Sequence, residues 1–199
     1  MIKNKIKILK EKFKKFEIDG YIVPKNDEYF SEYAKNDRLK NISNFSGSAG
    51  LAVILKKKNY LFVDGRYTIQ AQQESGTNFN IIEIHKKLPH TIIKNYNLGY
   101  DSRLFTSSKL KNYFSNNNLI SINDNLIDQI FKFKEKKTKP FYSLDKNIIG
   151  ETHKLKILKI TNFLKSNNAD YLFISAPENV AWLLNIRGYD NPNSPIPNA

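Results

Sequence analysis

Asp64-Gly65-Arg66-Tyr67 is the segment whose residue types and spacing come closest to a site. It sets a carboxylate two residues ahead of a guanidinium, beside a phenol, at the exit of the β-prone run Tyr60–Val63. Asp64 is a candidate N-cap for a helix running through Ile69, Ala71 and Gln72. Arg66 then falls in the first turn, where a cation opposes the helix dipole and calls for a partner. One candidate partner is structural, an ion pair with Asp64 or with an acidic residue of the first helix-loop. The other is a substrate or a neighbouring subunit faced by the turn. A second loop, Phe45-Ser46-Gly47-Ser48-Ala49-Gly50, can present backbone N–H groups to an anion. It lacks the lysine and the following helix of a phosphate-binding loop, so a tight entry into a strand is the better reading. Ser46 and Ser48 have no histidine near them in sequence to act as a base. The three histidines, His85, His90 and His153, show no His-x-x-x-His or near-carboxylate spacing and read as solvated. No catalytic residue and no metal ligand is therefore assigned. Trp182 shares a helical face with Val180 and Leu183; it reads as core, or else as the aromatic wall of a substrate entrance.

These loops need a frame. Leu51, Val53 and Leu55 alternate with Ala52, Ile54 and Lys56, and Lys57-Lys58-Asn59 leads into Tyr60–Val63, which predicts a hairpin. Ile2, Ile6, Leu9, Phe13 and Phe16 recur at helical spacing between lysines, so the chain opens with an amphipathic helix. Tyr21 to Pro24 reads as a buried strand, and further β-prone runs lie at 79–84, 97–100 and 119–122. Helical stretches are expected near 28–36, 66–74, 107–114 and 125–131. Alternation of this kind predicts a mixed α/β sheet flanked by helices, over a first domain of residues 1–133. The basic run KEKKTKP makes 134–147 a linker. Residues 148–199 read as the beginning of a second, related domain. Laying Lys3–Tyr33 over His153–Leu183 pairs helix with helix, Phe13 with Phe163, and Tyr21-Ile22 with Tyr171-Leu172. With Tyr171 to Ser175 as its one convincing strand, the second unit is expected to be truncated.

The formal net charge of +13 invites a nucleic-acid reading. Yet of 32 basic residues only Arg38, Arg66, Arg103 and Arg187 are arginine, the side chain that makes most bidentate phosphate contacts. Lysine, asparagine and isoleucine are overused together along the whole chain, so coding bias and solubility explain the charge better. The absence of cysteine excludes a disulfide framework and a thiol nucleophile. The N-terminus is too interrupted by lysine for a signal peptide, and no run approaches a membrane span; a cytoplasmic protein is expected.

The order FSGSAG, hairpin, DGRY and a helix with Gln70-Ala71 resembles the N-terminal domain of the Xaa-Pro aminopeptidases, in the creatinase/prolidase superfamily of metallopeptidases. Asp19–Pro24 with Asp27–Tyr33, then Leu98–Asp101, Asn125–Phe131 and Glu178–Gly188 follow in family order. The resemblance implies a creatinase/prolidase N-terminal-like fold, and the repeat is similar to the paired N-terminal domains of the three-domain type. It implies a parent enzyme that removes the residue preceding a proline, with a dimetal centre, usually manganese, in a C-terminal catalytic domain that this chain lacks. The chain is then non-catalytic, with no cofactor of its own. Its partners would be the catalytic domain, a second subunit in a homodimer and short proline-containing peptides. Arg66, Tyr67, Asp64, Phe45, Ser46 and Trp182 are the candidates for substrate access or subunit contact. In the related creatine hydrolase an N-terminal-domain arginine reaches the neighbour's substrate, an analogy for Arg66. A peptide-binding or histone-chaperone module of the same superfamily is the alternative, opposed by a +13 charge that repels basic tails.

Overall fold

Helices cover both faces of a six-stranded sheet, which is why the strands carry near-continuous apolar runs instead of strict alternation. The computed structural model describes residues 2–30, 34, 36–131, 133, 139–189 and 194–197. It divides into two compact units, Met1–Lys134 and Glu135–Ala199.

In the first unit, helix α1 (Ile2–Glu11) buries Ile6 and Leu9, and the turn after it delivers Phe13 to the same core. Strand β1 (Gly20–Pro24) follows, then helix α2 (Arg38–Ser43), capped by Asp37 and stopped by Asn44 in the left-handed conformation. The expected hairpin is β2 (Gly50–Leu55) with β3 (Asn59–Val63). Helix α3 (Thr68–Ser75) leads to β4 (Asn80–Glu83), and helix α4 (Pro89–Ile92) to β5 (Asn97–Tyr100). Helix α5 (Ser107–Phe114), β6 (Asn118–Ser121) and helix α6 (Leu126–Ile130) complete the unit. The strand order is β4-β3-β2-β1-β5-β6, and β2 alone runs against the others. The carboxyl ends of all strands but β2 therefore share one edge, the edge at which open α/β sheets build their sites. One apolar cluster joins Tyr21, Val23, Ala52 and Ile54 to Leu9, Phe13, Leu39 and Leu126; the other joins Ile22, Leu51, Val53 and Phe62 to Ile93 and Phe114.

Buried charges along the shared edge are a feature that the sequence pattern does not announce. The Arg38 guanidinium is held by Asp128 at 2.8 and 2.7 Å and by Glu28 at 2.7 Å. Burial opposes its charge, but these carboxylates outweigh burial and raise its pKa. Asp101, 1% exposed, accepts from Arg103 Nη2 at 2.8 Å and from Asn125 Nδ2 at 3.0 Å. Of the helix expected at 28–36, residues 31–33 and 35 lie outside the described residues, and 28–30 form a turn. The helix instead starts at Arg38, where Asp37 accepts the Lys40 N–H at 2.9 Å.

In the second unit, helix α7 (His153–Ser166) and helix α8 (Pro177–Leu184) accompany a small antiparallel pair, β7 (Phe141–Ser143) with β8 (Ile186–Gly188). Phe141–Ser143 fall within the stretch read as linker and form a strand there. The strand expected at Tyr171–Ser175 is not formed. That stretch has no ladder partner among the described residues, and Tyr171 and Phe173 are 92% and 90% exposed. Propensity alone does not make a strand without a neighbour to pair with. Trp182 is not core either. It is 57% exposed, while its neighbour Ala181 is buried. Its ring lies 4.1 Å from the Lys156 ammonium, which donates at 2.7 Å to the carbonyl of Trp182 and to Asn185 Oδ1. Lys156 thereby satisfies the carboxyl end of α8. No helix among the described residues is long and apolar enough to cross a membrane.

Candidate functional site

The two loops singled out in the sequence meet at the shared strand edge of the first unit. Asp64 leaves β3 in extended conformation and caps a single 3-10 turn, Gly65–Tyr67, that feeds α3. One carboxylate oxygen, Oδ1, accepts from the Arg66 backbone N–H at 3.0 Å and from Arg66 Nε at 2.8 Å. These bonds hold the Asp64 carboxyl down at about 2. His85 Nε2 stands 3.5 Å from Asp64 Oδ2. Arg66 itself is 72% exposed, with its guanidinium 5.4 Å from the centre of the Tyr67 ring. The sequence's alternative of a structural ion pair to Asp64 is thus present, and Arg66 still presents most of its surface to solvent.

Tyr67 links the turn to the other loop. Its hydroxyl lies 2.9 Å from Ser48 Oγ, and its ring meets Phe45 edge-on at 5.9 Å. Phe45 is fully buried and supports the loop from beneath. Ser46 is exposed and fixed: Glu74 accepts from its backbone N–H and from its hydroxyl, each at 2.7 Å, and Gln70 Nε2 donates to Ser46 Oγ at 2.8 Å. Burial pushes the Glu74 carboxyl up, but these donors outweigh it and hold it below its ordinary range. Nothing in the sequence pattern signals Glu74, because its partner lies in a distant loop. Trp182 belongs to the other unit.

Beside the two loops a cleft of about 330 Å³ opens, between the strand ends and α5. Leu51, Phe62, Ile84 and Tyr113 give it apolar walls, and Lys25, Ser48, Asp64 and Lys109 reach it from four different elements or loops. Lys25 is paired with Asp37. Among the described residues, no three His, Cys, Asp or Glu side chains converge to hold a metal ion, so the residues present do not form a dimetal cradle.

Comparison with known proteins places this geometry in a family. Models described as creatinase/prolidase N-terminal domain match residues 5–130 and again residues 132–199. The chain belongs to the creatinase/prolidase N-terminal domain family. Its relatives in that family include Xaa-Pro aminopeptidase 1 of Dictyostelium discoideum, 33% identical over 98% of this chain and 35% of the relative. Probable Xaa-Pro aminopeptidase P of Laccaria bicolor is 31% identical over 94% of this chain and 32% of the relative. The chain spans about a third of the length of such relatives. Its fold matches the solved X-prolyl aminopeptidase of Caenorhabditis elegans, with a TM-score of 0.83 at 24% identity, covering 98% of this chain and 36% of that one. That protein is described as a cytosolic enzyme with a di-nuclear active site. The creatinase/prolidase N-terminal fold thus accounts for the six-stranded mixed sheet and for the chain's second matched segment.

Proposed function

We propose that this chain is the non-catalytic N-terminal part of a metal-dependent Xaa-Pro aminopeptidase, a cytoplasmic homodimer that removes the residue preceding a proline. The observation that carries the reading is the match to proteins named Xaa-Pro aminopeptidases along nearly the whole chain, over only a third of their length. A dimetal centre, with manganese as the metal, would belong to the remaining portion of the parent, since no ligand cluster forms among the described residues here. The domain layout of 1–133, a linker of 134–147 and a second domain of 148–199 belongs to the same proposal, with the strand Phe141–Ser143 lying within the linker and pairing with β8.

Within this reading the exposed faces of Arg66, Tyr67 and Ser46 shape the path of a short proline peptide or meet a second subunit. The double anchoring of Ser46 by Glu74 and of Tyr67 by Ser48 supports that role, because a contact surface must be held still to be selective. Proline has no N–H and a fixed φ, so a bond to it needs a dedicated pocket, and access to that pocket is a natural task for a separate domain. Replacing Arg66 by Met in the full-length parent tests the assignment. It removes the charge and keeps most of the stem. The expected result is a lower kcat/KM for Xaa-Pro peptides with an unchanged thermal midpoint of the first domain. A lower midpoint with unchanged kinetics per folded enzyme would make Arg66 a structural residue. The 199-residue chain alone is expected to release no residue from Xaa-Pro peptides, with or without manganese.

A further inference from the structure

Among the described residues, two of the three charged groups that line the cleft, Lys25 and Asp64, have their counter-charge in place. Lys25 is matched by Asp37, and Asp64 by Arg66. Lys109 is not matched: among the described residues its ammonium makes no ion pair or hydrogen bond, and its one ring contact is Phe105 at 5.8 Å. Its backbone is fixed at the start of α5, where Lys109 N–H donates at 3.2 Å to the capping Thr106 hydroxyl. Partial burial lowers its pKa, and no carboxylate among the described residues offsets that. A half-buried ammonium lining the same cleft as Ile84 and Tyr113 is a site for one anion with an apolar body. A dianion such as phosphate would bring a second charge near the Asp64 carboxylate, and the other lysine described in the lining, Lys25, is already paired with Asp37.

We propose that this cleft binds a small apolar monocarboxylate, with Lys109 as its counter-ion and the half-buried Ile84 and Tyr113 as the seat of its side chain. The cleft, at about 330 Å³, lies at the small end of the ~300–1,000 Å³ typical of ligand pockets. It also sits at the carboxyl edge of the sheet, where open α/β folds place ligands. The proposal does not rest on the parent's peptidase activity, so either can fail alone.

The test is an NMR titration of the ¹⁵N-labelled 199-residue chain with N-acetyl-leucine, with N-acetyl-leucinamide as the uncharged twin and inorganic phosphate as the dianion. N-acetyl-leucine should give saturable shifts at Ser48–Gly50, Asp64 and along α5, and should bind about tenfold or more tightly than the amide. Phosphate should give weaker binding than N-acetyl-leucine. Lys109→Met should leave the spectrum of a folded first unit and equalise acid and amide, while Lys109→Arg should retain the preference. No saturable shift with the acid up to about 10 mM, shifts confined to another surface, or an acid preference that survives Lys109→Met would overturn the site.

Discussion

At the scale of single residues, two carboxylate–arginine pairs of the same spacing have different meanings because their burial differs. Asp64 and Arg66 form an ion pair on the surface, the kind that contributes little to stability. Asp101 and Arg103 repeat the spacing after β5, but there the carboxylate is buried and also receives Asn125. Burial pushes the Asp101 carboxyl up, and the hydrogen bonds from Arg103 and Asn125 outweigh it and hold it below its ordinary range. A folded-state pKa below the unfolded one stabilises the protein above the ordinary aspartate value of about 3.9, and that stabilisation is lost as the pH falls through the folded value. Asp101→Asn should therefore lower the urea midpoint at pH 7, by about 1–3 kcal/mol of stability. The difference from the unsubstituted chain should shrink below about pH 4. Equal destabilisation at neutral and acidic pH would show that packing, and not charge, holds Asp101 in place.

At the scale of elements, the loop and the turn act as one piece, and Gly47 is where they are pinned. A Cβ at that position would lie 2.3 Å from Phe45 Cζ and 3.0 Å from Tyr67 Cδ1, and Phe45 is too deeply buried to yield. Gly47→Ala should cost about 1–3 kcal/mol and loosen Ser46 and Tyr67 together, read as faster hydrogen exchange in both segments. Exchange that rises in only one of them would mean that loop and turn are independent. The hairpin beneath was legible because its two strands carry adjacent apolar runs joined by Lys57-Lys58-Asn59. Helix α2 was not, since six residues with two apolar core positions, Leu39 and Ile42, show no period. The ion pair of Asp64 with Arg66 could be foreseen as a local option. The bonds of Ser46 to Glu74 could not, because they join residues 28 apart that only the fold brings together. Lys109 was hidden for a similar reason: among so many lysines, only its surroundings single it out.

At the scale of the whole molecule, the two units differ in how much they bury. Both apolar clusters belong to the first unit, where β2 is buried from Leu51 to Leu55. The second unit exposes Leu158, Phe163, Tyr171, Phe173 and Trp182, and its sheet is a pair of three-residue strands. Tyr171-Leu172 repeats the chemistry of Tyr21-Ile22, yet Tyr21 lies between β2 and β5 whereas Tyr171 has no strand beside it among the described residues. The similarity of sequence was therefore legible, and the difference in pairing was not, because pairing is a property of the neighbours. A two-stranded sheet is marginal in water, and local stability follows buried apolar contact. Native-state hydrogen exchange of the 199-residue chain should accordingly find the amides of Leu51–Leu55 and Leu61–Val63 slowest, opening only with global unfolding of the first unit. Those of α7, α8 and β8 should exchange at least tenfold faster, through openings that cost less than global unfolding. Equal protection in both units would show that the exposed aromatic residues are covered in solution, and the low local stability assigned to the second unit would then be wrong.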